Sequence, residues 1–274
     1  MTDKYLLYID ILGFSDLVKK DPAEIDRIYS IVDSLNVHKH EGFRTIVFSD
    51  TILVYNKYDP SNEADHIYFV MFACEFAQDL LHRFVGKKRF FRAVLSYGAF
   101  DHYRLENTEC FYGPALIASY QQEKFIQSHG LFIDKKANRY NRVFKTGRYD
   151  KSLKFVYLTQ ALERFSFYAQ DGLPIHISLI DDTDEAYHVL PEIRYLQDIY
   201  TSMNTHPDPR VRAKHLTAWH FYRAKYKVIV DELEEKRFRP ETICPGYDWS
   251  GDIALLVRDH QCTVGLDEEQ RSNT

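Results

Sequence analysis

Two aspartates and a glycine carry the chemistry in this sequence: Asp10 and Gly13 in the stretch KYLLYIDILGFSDL (Lys4 to Leu17), and Asp50 in GFRTIVFSDTILVY (Gly42 to Tyr55). Tyr5 to Ile9 is a run of strand-forming residues, yet it closes on a carboxylate where an apolar side chain would pack at lower cost. A cation is the simplest reason for Asp10. Asp50 stands between two β-rich runs, Phe43 to Phe48 and Thr51 to Tyr55, so Ser49-Asp50 predicts a tight hairpin with Asp50 at its tip. Turn chemistry alone also accounts for an aspartate there. Two carboxylates acting with substrate phosphates are an ordinary way to hold magnesium or manganese. Gly13 supplies a tight turn, after which the amides of Phe14, Ser15 and Asp16 would open a helix, where unpaired N–H groups and the dipole favour an anion. Metal and phosphate would then meet at one corner.

The elements that must hold that corner follow from periodicity. Ile25, Ile28, Tyr29, Val32 and Leu35 recur at helical spacing and predict a helix over about Pro22 to Asn36. After the hairpin, Asp59-Pro60-Ser61-Asn62 breaks the chain and caps a long helix reaching about Phe84, with Phe69, Phe72, Ala73, Phe76 and Leu80 on a broad apolar face. Phe90 to Phe100 predicts the next strand. Gly113-Pro114 starts a further helix, proline sitting where its missing N–H costs nothing. Strand, helix, hairpin, helix, strand predicts an α+β fold with helices packed on a mainly antiparallel sheet.

Composition narrows the function classes. The 274 residues carry a net charge of −5, which argues against a general nucleic-acid binder. Cys74, Cys110, Cys244 and Cys262 show no CxxC spacing, so neither a zinc ribbon nor a disulfide framework is expected, and a reducing cytoplasm is the expected location. No apolar run approaches the ~20 residues that cross a bilayer, and the chain opens directly on a strand, so no membrane partner is expected. The 20 tyrosines and 19 phenylalanines are scattered along the chain, which fits a bulky core better than a base-stacking platform.

YIDILGF, then FSDTILVY, FRAVLSYG and FYGPALIASYQQEK in that order resemble the catalytic domain of class III nucleotidyl cyclases over about residues 4 to 135. The resemblance implies that Asp10, the Ile11 carbonyl and Asp50 hold two Mn²⁺ or Mg²⁺ ions, that a nucleoside triphosphate is the substrate, and that the site lies between the subunits of a head-to-tail homodimer. It also places Arg92 where these cyclases commonly keep an arginine, although a charge on an edge strand is an equal alternative. The helix that follows Gly113 normally presents an asparagine and an arginine; Ile117 and Gln121 stand there instead. That departure fits either a silent relative or a divergent enzyme drawing its cations from Arg92, Lys124 or Arg44.

The positions that read a purine in the family are Ile46 and Cys110 here, so the adenine code is absent. Alternation sets Arg44, Ile46, Phe48 and Asp50 on one strand face, and a pocket lined by Ile46 and Phe48 would be narrower and less polar than one built for a purine. These features resemble the pyrimidine cyclases of the Pycsar anti-phage systems, whose product, cyclic UMP or cyclic CMP, acts on a separate effector protein. The resemblance implies a uridylate cyclase, with Arg44 as a donor toward O4 of uracil, ahead of a cytidylate cyclase. A silent nucleotide sensor and a purine cyclase are the alternatives. A nucleotidyltransferase is a third, but its Gly-Ser with closely spaced carboxylates is missing before Asp50.

The catalytic domain is expected over 1–190 and a helical extension over 191–274. Lys135 to Lys154 predicts a solvated loop. Ile175 to Ile180 and Ala186 to Leu190 predict two strands around an acidic turn at Asp181-Asp182. Trp219, Tyr222, Tyr226, Ile229 and Leu233 predict one helix over about Arg210 to Lys236 after the Asp208-Pro209 cap. From Asp248 the chain predicts a polar tail with one apolar segment, Ile253 to Val257, and the last ten residues read as disordered.

Overall fold

The computed structural model describes residues 1–180 and 185–266, and in it the chain divides into two compact units. The first unit comprises Met1–Leu81 and Phe90–Leu158; the second comprises His82–Arg89 and the chain from Thr159 onward. The acidic turn expected at Asp181-Asp182, and the tail from residue 267, lie outside the described residues.

The first unit contains β1 (Thr2–Ile11), α1 (Phe14–Lys20), α2 (Pro22–Asp33), β2 (Phe43–Phe48), β3 (Thr51–Asn56) and α3 (Glu63–Phe84), whose last turn is counted with the second unit. It continues with β4 (Phe91–Arg104), β5 (Glu109–Tyr112), α4 (Pro114–Phe125), β6 (Gly130–Asp134), α5 (Lys135–Asn138), β7 (Thr146–Arg148) and β8 (Leu153–Val156). The sheet order is β2-β3-β1-β4-β6-β8-β7, with β5 added beside β4. Only the β4–β6 pairing is parallel among the described pairs, so the sheet is mainly antiparallel as expected.

Alternation along β1 sorts the two faces of this sheet. Tyr5 faces α3, where its ring meets Phe69, and Phe43 of β2 stacks on Phe72. Leu6 and Tyr8 point the other way and pack with Leu53, Tyr55, Phe100 and Ala115, so α4 covers the face that carries Asp10. Burying large side chains on both faces keeps β1 central, and each such side chain is worth roughly 1.5–3 kcal/mol. The strand that ends in Asp10 is therefore rigid, and so is the direction of its carboxylate. Lys135 to Lys154 is not one loop: α5 and the short strands β7 and β8 occupy much of it, with Leu153, Phe155 and Val156 buried.

The second unit is helical, built from α6 (Gln160–Tyr168), α7 (Glu185–Thr205), α8 (Pro209–Lys225), α9 (Lys227–Glu235) and α10 (Ser250–His260). Three expectations need correction here. The two strands expected at Ile175 to Ile180 and Ala186 to Leu190 are a 3₁₀ turn (Ile177–Leu179) and the start of α7, because Ala186, Val189, Leu190, Ile193, Leu196 and Ile199 form a buried stripe at helical period. The single long helix after Asp208 is broken at Tyr226 into α8 and α9. The apolar segment near Val257 belongs to α10, whose Leu256 is buried, and is no tail. The chain passes between the units at Leu81–His82, Arg89–Phe90 and Leu158–Thr159.

Candidate active site

The corner around Asp10 is assembled by register. Asp10 pairs with Thr51 on β3 and with Arg92 on β4, and the Ile11 amide donates to the Asp50 carbonyl at 2.9 Å. Two positions forty residues apart in sequence are thereby neighbours in the backbone. The hairpin has the expected form: β2 and β3 flank Ser49-Asp50, Ser49 takes φ 55°, and the Tyr29 hydroxyl of α2 donates to the Ser49 carbonyl at 3.1 Å. Both aspartates are partly exposed. They also reach the same phenol: burial raises the Tyr8 pKa, a bond to Thr51 opposes this, and the charges of Glu123, Asp10 and Asp50 add to the rise. The Tyr8 hydroxyl lies 3.4 Å from Thr51 Oγ1.

Gly13 takes φ 77° and nothing lies within 4 Å of where a Cβ would stand, so the glycine answers to backbone conformation and not to crowding. The anion site expected after it is reduced. The Asp16 amide donates back to the Gly13 carbonyl at 3.2 Å, Phe14 is buried, and α1 is only seven residues long.

Arg92 is on an interior strand, so the edge-strand alternative fails. It is 9% exposed, donates from Nη1 to the Ile126 carbonyl at 2.9 Å, and places Nη2 against Glu123 Oε1 and 3.5 Å from Asp10 Oδ2. Glu123 is itself buried, on the same stripe of α4 as Ala115 and Ser119. Glu123, Tyr8 and Thr51 were not among the residues singled out by sequence. Glu123 left a signal: a carboxylate eight residues from Ala115 on the buried side of a helix requires a cationic partner.

Ile117 and Gln121 sit on the opposite, exposed side of α4, away from this unit's own Asp10. Lys124 lies with its ammonium 3.8 Å from the centre of the Tyr120 ring.

The expected base-reading residues are only partly brought together. Arg44, Ile46 and Phe48 share the Asp10 face by register, but Ile46 packs into the cluster around Tyr8 and Leu53, while Phe48 is 73% exposed. Arg44 approaches His102 Nδ1 at 3.3 Å, and His102 also contacts the Tyr55 hydroxyl and Glu109 Oε2. Arg44, Tyr55 and His102, with Thr2, Lys4, Lys57, Phe100 and Asp101, border a cleft of about 360 Å³. Cys110 pairs with Tyr103, and alternation along β4 turns both to the face away from Ile46.

No protein-family model matches the chain, and no curated protein matches it. Among solved structures the chain is similar to the guanylyl cyclase Cya2 (15% identity, 57% of this chain and 91% of that one, TM-score 0.42). It is also similar to the adenylyl cyclase CyaB from P. aeruginosa (11%, 57% and 93%, 0.45) and to a non-canonical dimeric guanylyl cyclase domain of the RhoGC fusion protein from the aquatic fungus Blastocladiella emersonii (14%, 56% and 94%, 0.45). Likenesses this distant establish neither family nor activity, so the chemistry rests on the residues themselves.

A divalent cation passes the test those residues set. Among the described residues no three His, Cys, Asp or Glu side chains form a group able to hold a metal. Asp10, Asp50 and the Ile11 carbonyl offer hard oxygen donors in fewer number than a closed site needs, which suits an ion that arrives with phosphate oxygens of its own. No helix among the described residues is long and apolar enough to cross a membrane.

Proposed function

We propose that this protein is a class III-type nucleotidyl cyclase that converts UTP, or second to it CTP, into the 3′,5′-cyclic monophosphate and pyrophosphate. The reading is carried by one observation: β1 and the β2–β3 hairpin bring Asp10 and Asp50 to a single corner through the Ile11–Asp50 backbone bond. Turn chemistry accounts for Asp50 and the Arg92 contact for Asp10 taken one at a time, and a shared cation accounts for both at one partly exposed corner.

Asp10, Asp50 and the Ile11 carbonyl would hold two Mn²⁺ or Mg²⁺ ions. When bound, such ions lower the pKa of the ribose 3′-hydroxyl and neutralise the triphosphate, favouring in-line attack on the α-phosphorus. Asp10 and Asp50 fix the place of that charge. β1, held between β3 and β4, fixes the direction of the Asp10 carboxylate. Arg92 is tied to Glu123 and Ile126, so its role is to shape the charge at Asp10, and an exposed cation has to meet the triphosphate.

Exposure of Ile117 and Gln121 supports a site completed by a second copy arranged head to tail, because neither can turn to its own Asp10 without turning the helix. The pyrimidine preference draws support from Ile46, which offers a base no hydrogen bond, and from Arg44 as a donor on the same strand face. The product would act on a separate effector, in keeping with the anti-phage systems the sequence resembles.

Incubating the pure protein with each of the four ribonucleoside triphosphates and Mn²⁺, and identifying products by mass, tests this directly. Cyclic UMP is expected ahead of cyclic CMP. Cyclic AMP or cyclic GMP as main product would overturn the pyrimidine pocket and keep the cyclase. Absence of any cyclic product, with nucleotide still bound, would establish the silent sensor that Ile117 and Gln121 favour.

A further inference from the structure

Three charged side chains meet at the foot of β4, and their sharing is unequal. Arg92 Nη2 contacts Glu123 Oε1 closely and stands 3.5 Å from Asp10 Oδ2, while Nη1 is spent on the Ile126 carbonyl. Side-chain exposure is 11% for Arg92, 5% for Glu123 and 20% for Asp10, so the arginine and the glutamate are out of water and the aspartate is at its edge. In such surroundings a guanidinium is drawn strongly to whichever carboxylate lies nearer.

From this geometry we propose that Glu123 is a positioning residue that holds Arg92 back from Asp10, so that the aspartate keeps its charge for a divalent cation. The inference rests on the metal site proposed above. Arg92 is a built-in competitor for Asp10: full contact with it would neutralise the carboxylate and place a positive charge where the metal ion has to bind. Glu123 and the Ile126 carbonyl draw the guanidinium toward α4, and the packing of Ala115 and Ser119 holds α4 against the sheet. The result is an arginine near enough to orient Asp10 and drawn by Glu123 and the Ile126 carbonyl short of closer contact with it. The corner then holds two negative charges at Asp10 and Asp50, with the Arg92–Glu123 pair close to neutral beside them.

The test is Mn²⁺ binding by the full chain without nucleotide, read from the electron paramagnetic resonance signal of free Mn²⁺. In Glu123→Gln the guanidinium loses its counter-charge and moves to Asp10, and Mn²⁺ affinity is expected to fall by about tenfold, the effect of one full charge at this range. The double variant Arg92→Met/Glu123→Gln removes competitor and anchor together, and its affinity is expected to return to within about threefold of the parent, since a buried ion pair replaced by neutral groups is tolerated far better than a broken one. A merely structural Glu123 would lower the melting temperature of E123Q and leave Mn²⁺ affinity unchanged, which overturns the inference while leaving the metal site standing. Should E123Q fail to fold, a double variant binding Mn²⁺ at least as well as the parent supports the inference, and one binding tenfold worse overturns it. A parent chain that binds no Mn²⁺, alone or with UTP present, overturns both readings.

Discussion

Asp10 and Asp50 make different demands on the fold, so their variants separate chemistry from structure. Asp50 sits at a hairpin tip where its carbonyl does the structural work by accepting the Ile11 amide. Asp50→Ala is expected to lower cyclase turnover by at least about a hundredfold with the melting temperature within a few degrees of the parent. Asp10→Ala should lose turnover equally and cost little stability, because Arg92 keeps Glu123 and the Ile126 carbonyl. Full activity in either variant, measured with UTP and Mn²⁺, would remove the metal assignment. Asp10 stood out in sequence because a carboxylate closing an apolar strand breaks a local rule, whereas Asp50 obeys one, an aspartate at a turn, and stood out only as a second carboxylate to set beside Asp10. Glu123 was harder to see, because its partner Arg92 lies 31 residues earlier and on another element. Cys110 was placed by its correspondence to the family's base-reading position, and the β4–β5 ribbon turns it to the face opposite Ile46.

Among elements, α4 has the least freedom to move. Gly113 takes φ 152°, and a Cβ there would stand 2.4 Å from the Ala99 carbonyl oxygen and 2.7 Å from the Phe100 Cα. Both are backbone atoms of β4, which cannot step aside. Gly113→Ala is therefore expected to cost about 2 kcal/mol or more, and by shifting α4 to weaken turnover through Glu123; chemical denaturation and an activity assay on the same sample check both. In the helical unit, α8 carries a pH dependence. Burial, reinforced by the charges of His206 and Lys214, lowers the His215 pKa to about 4. The folded form thus favours the neutral ring, and the unfolded chain binds the proton first as pH falls below the ordinary 6.5. Stability is whole above about 6.5 and declines between there and about pH 4, by roughly 3 kcal/mol at the limit. Urea denaturation from pH 7 to 4.5 should show this decline, and His215→Gln should flatten it. The helices of this unit escaped the sequence reading where short windows were used. Ile175 to Ile180 is β-branched enough to pass for a strand, whereas the stripe that makes α7 a helix emerges only over Ala186 to Ile199 and runs through Pro191.

For the molecule as a whole, the division into units is not a division of the chain at one point. His82–Arg89 belongs with the helical unit: the Gly86 amide donates to Asp198 at 2.8 Å, and a Cβ on Gly86 would fall 2.4 Å from that of Cys262. A chain ending at Leu158 should therefore melt with low cooperativity. The same fragment with residues 82–89 exchanged for a polar linker of equal length is expected to melt more sharply, as followed by circular dichroism. Equal melting of the two fragments would contradict the assignment of these residues. The sheet and its corner were legible because alternating runs and Gly or Pro punctuation are local signals. The boundary was not, because it depends on which distant residues an eight-residue segment joins.

That segment sets an order on synthesis. On a ribosome the sheet has all its strands once Leu158 has emerged, and it is then free to fold. Residues 82–89, already made, must wait for Asp198, 112 residues behind Gly86, and for Cys262 further on. A polypeptide released early would carry a finished sheet beside a segment whose Phe84 and Val85 still lack their cover, the kind of intermediate that chaperones hold. The segment is made early and closed late, and the interval between the two is set by how fast the chain from Asp198 to Cys262 follows it.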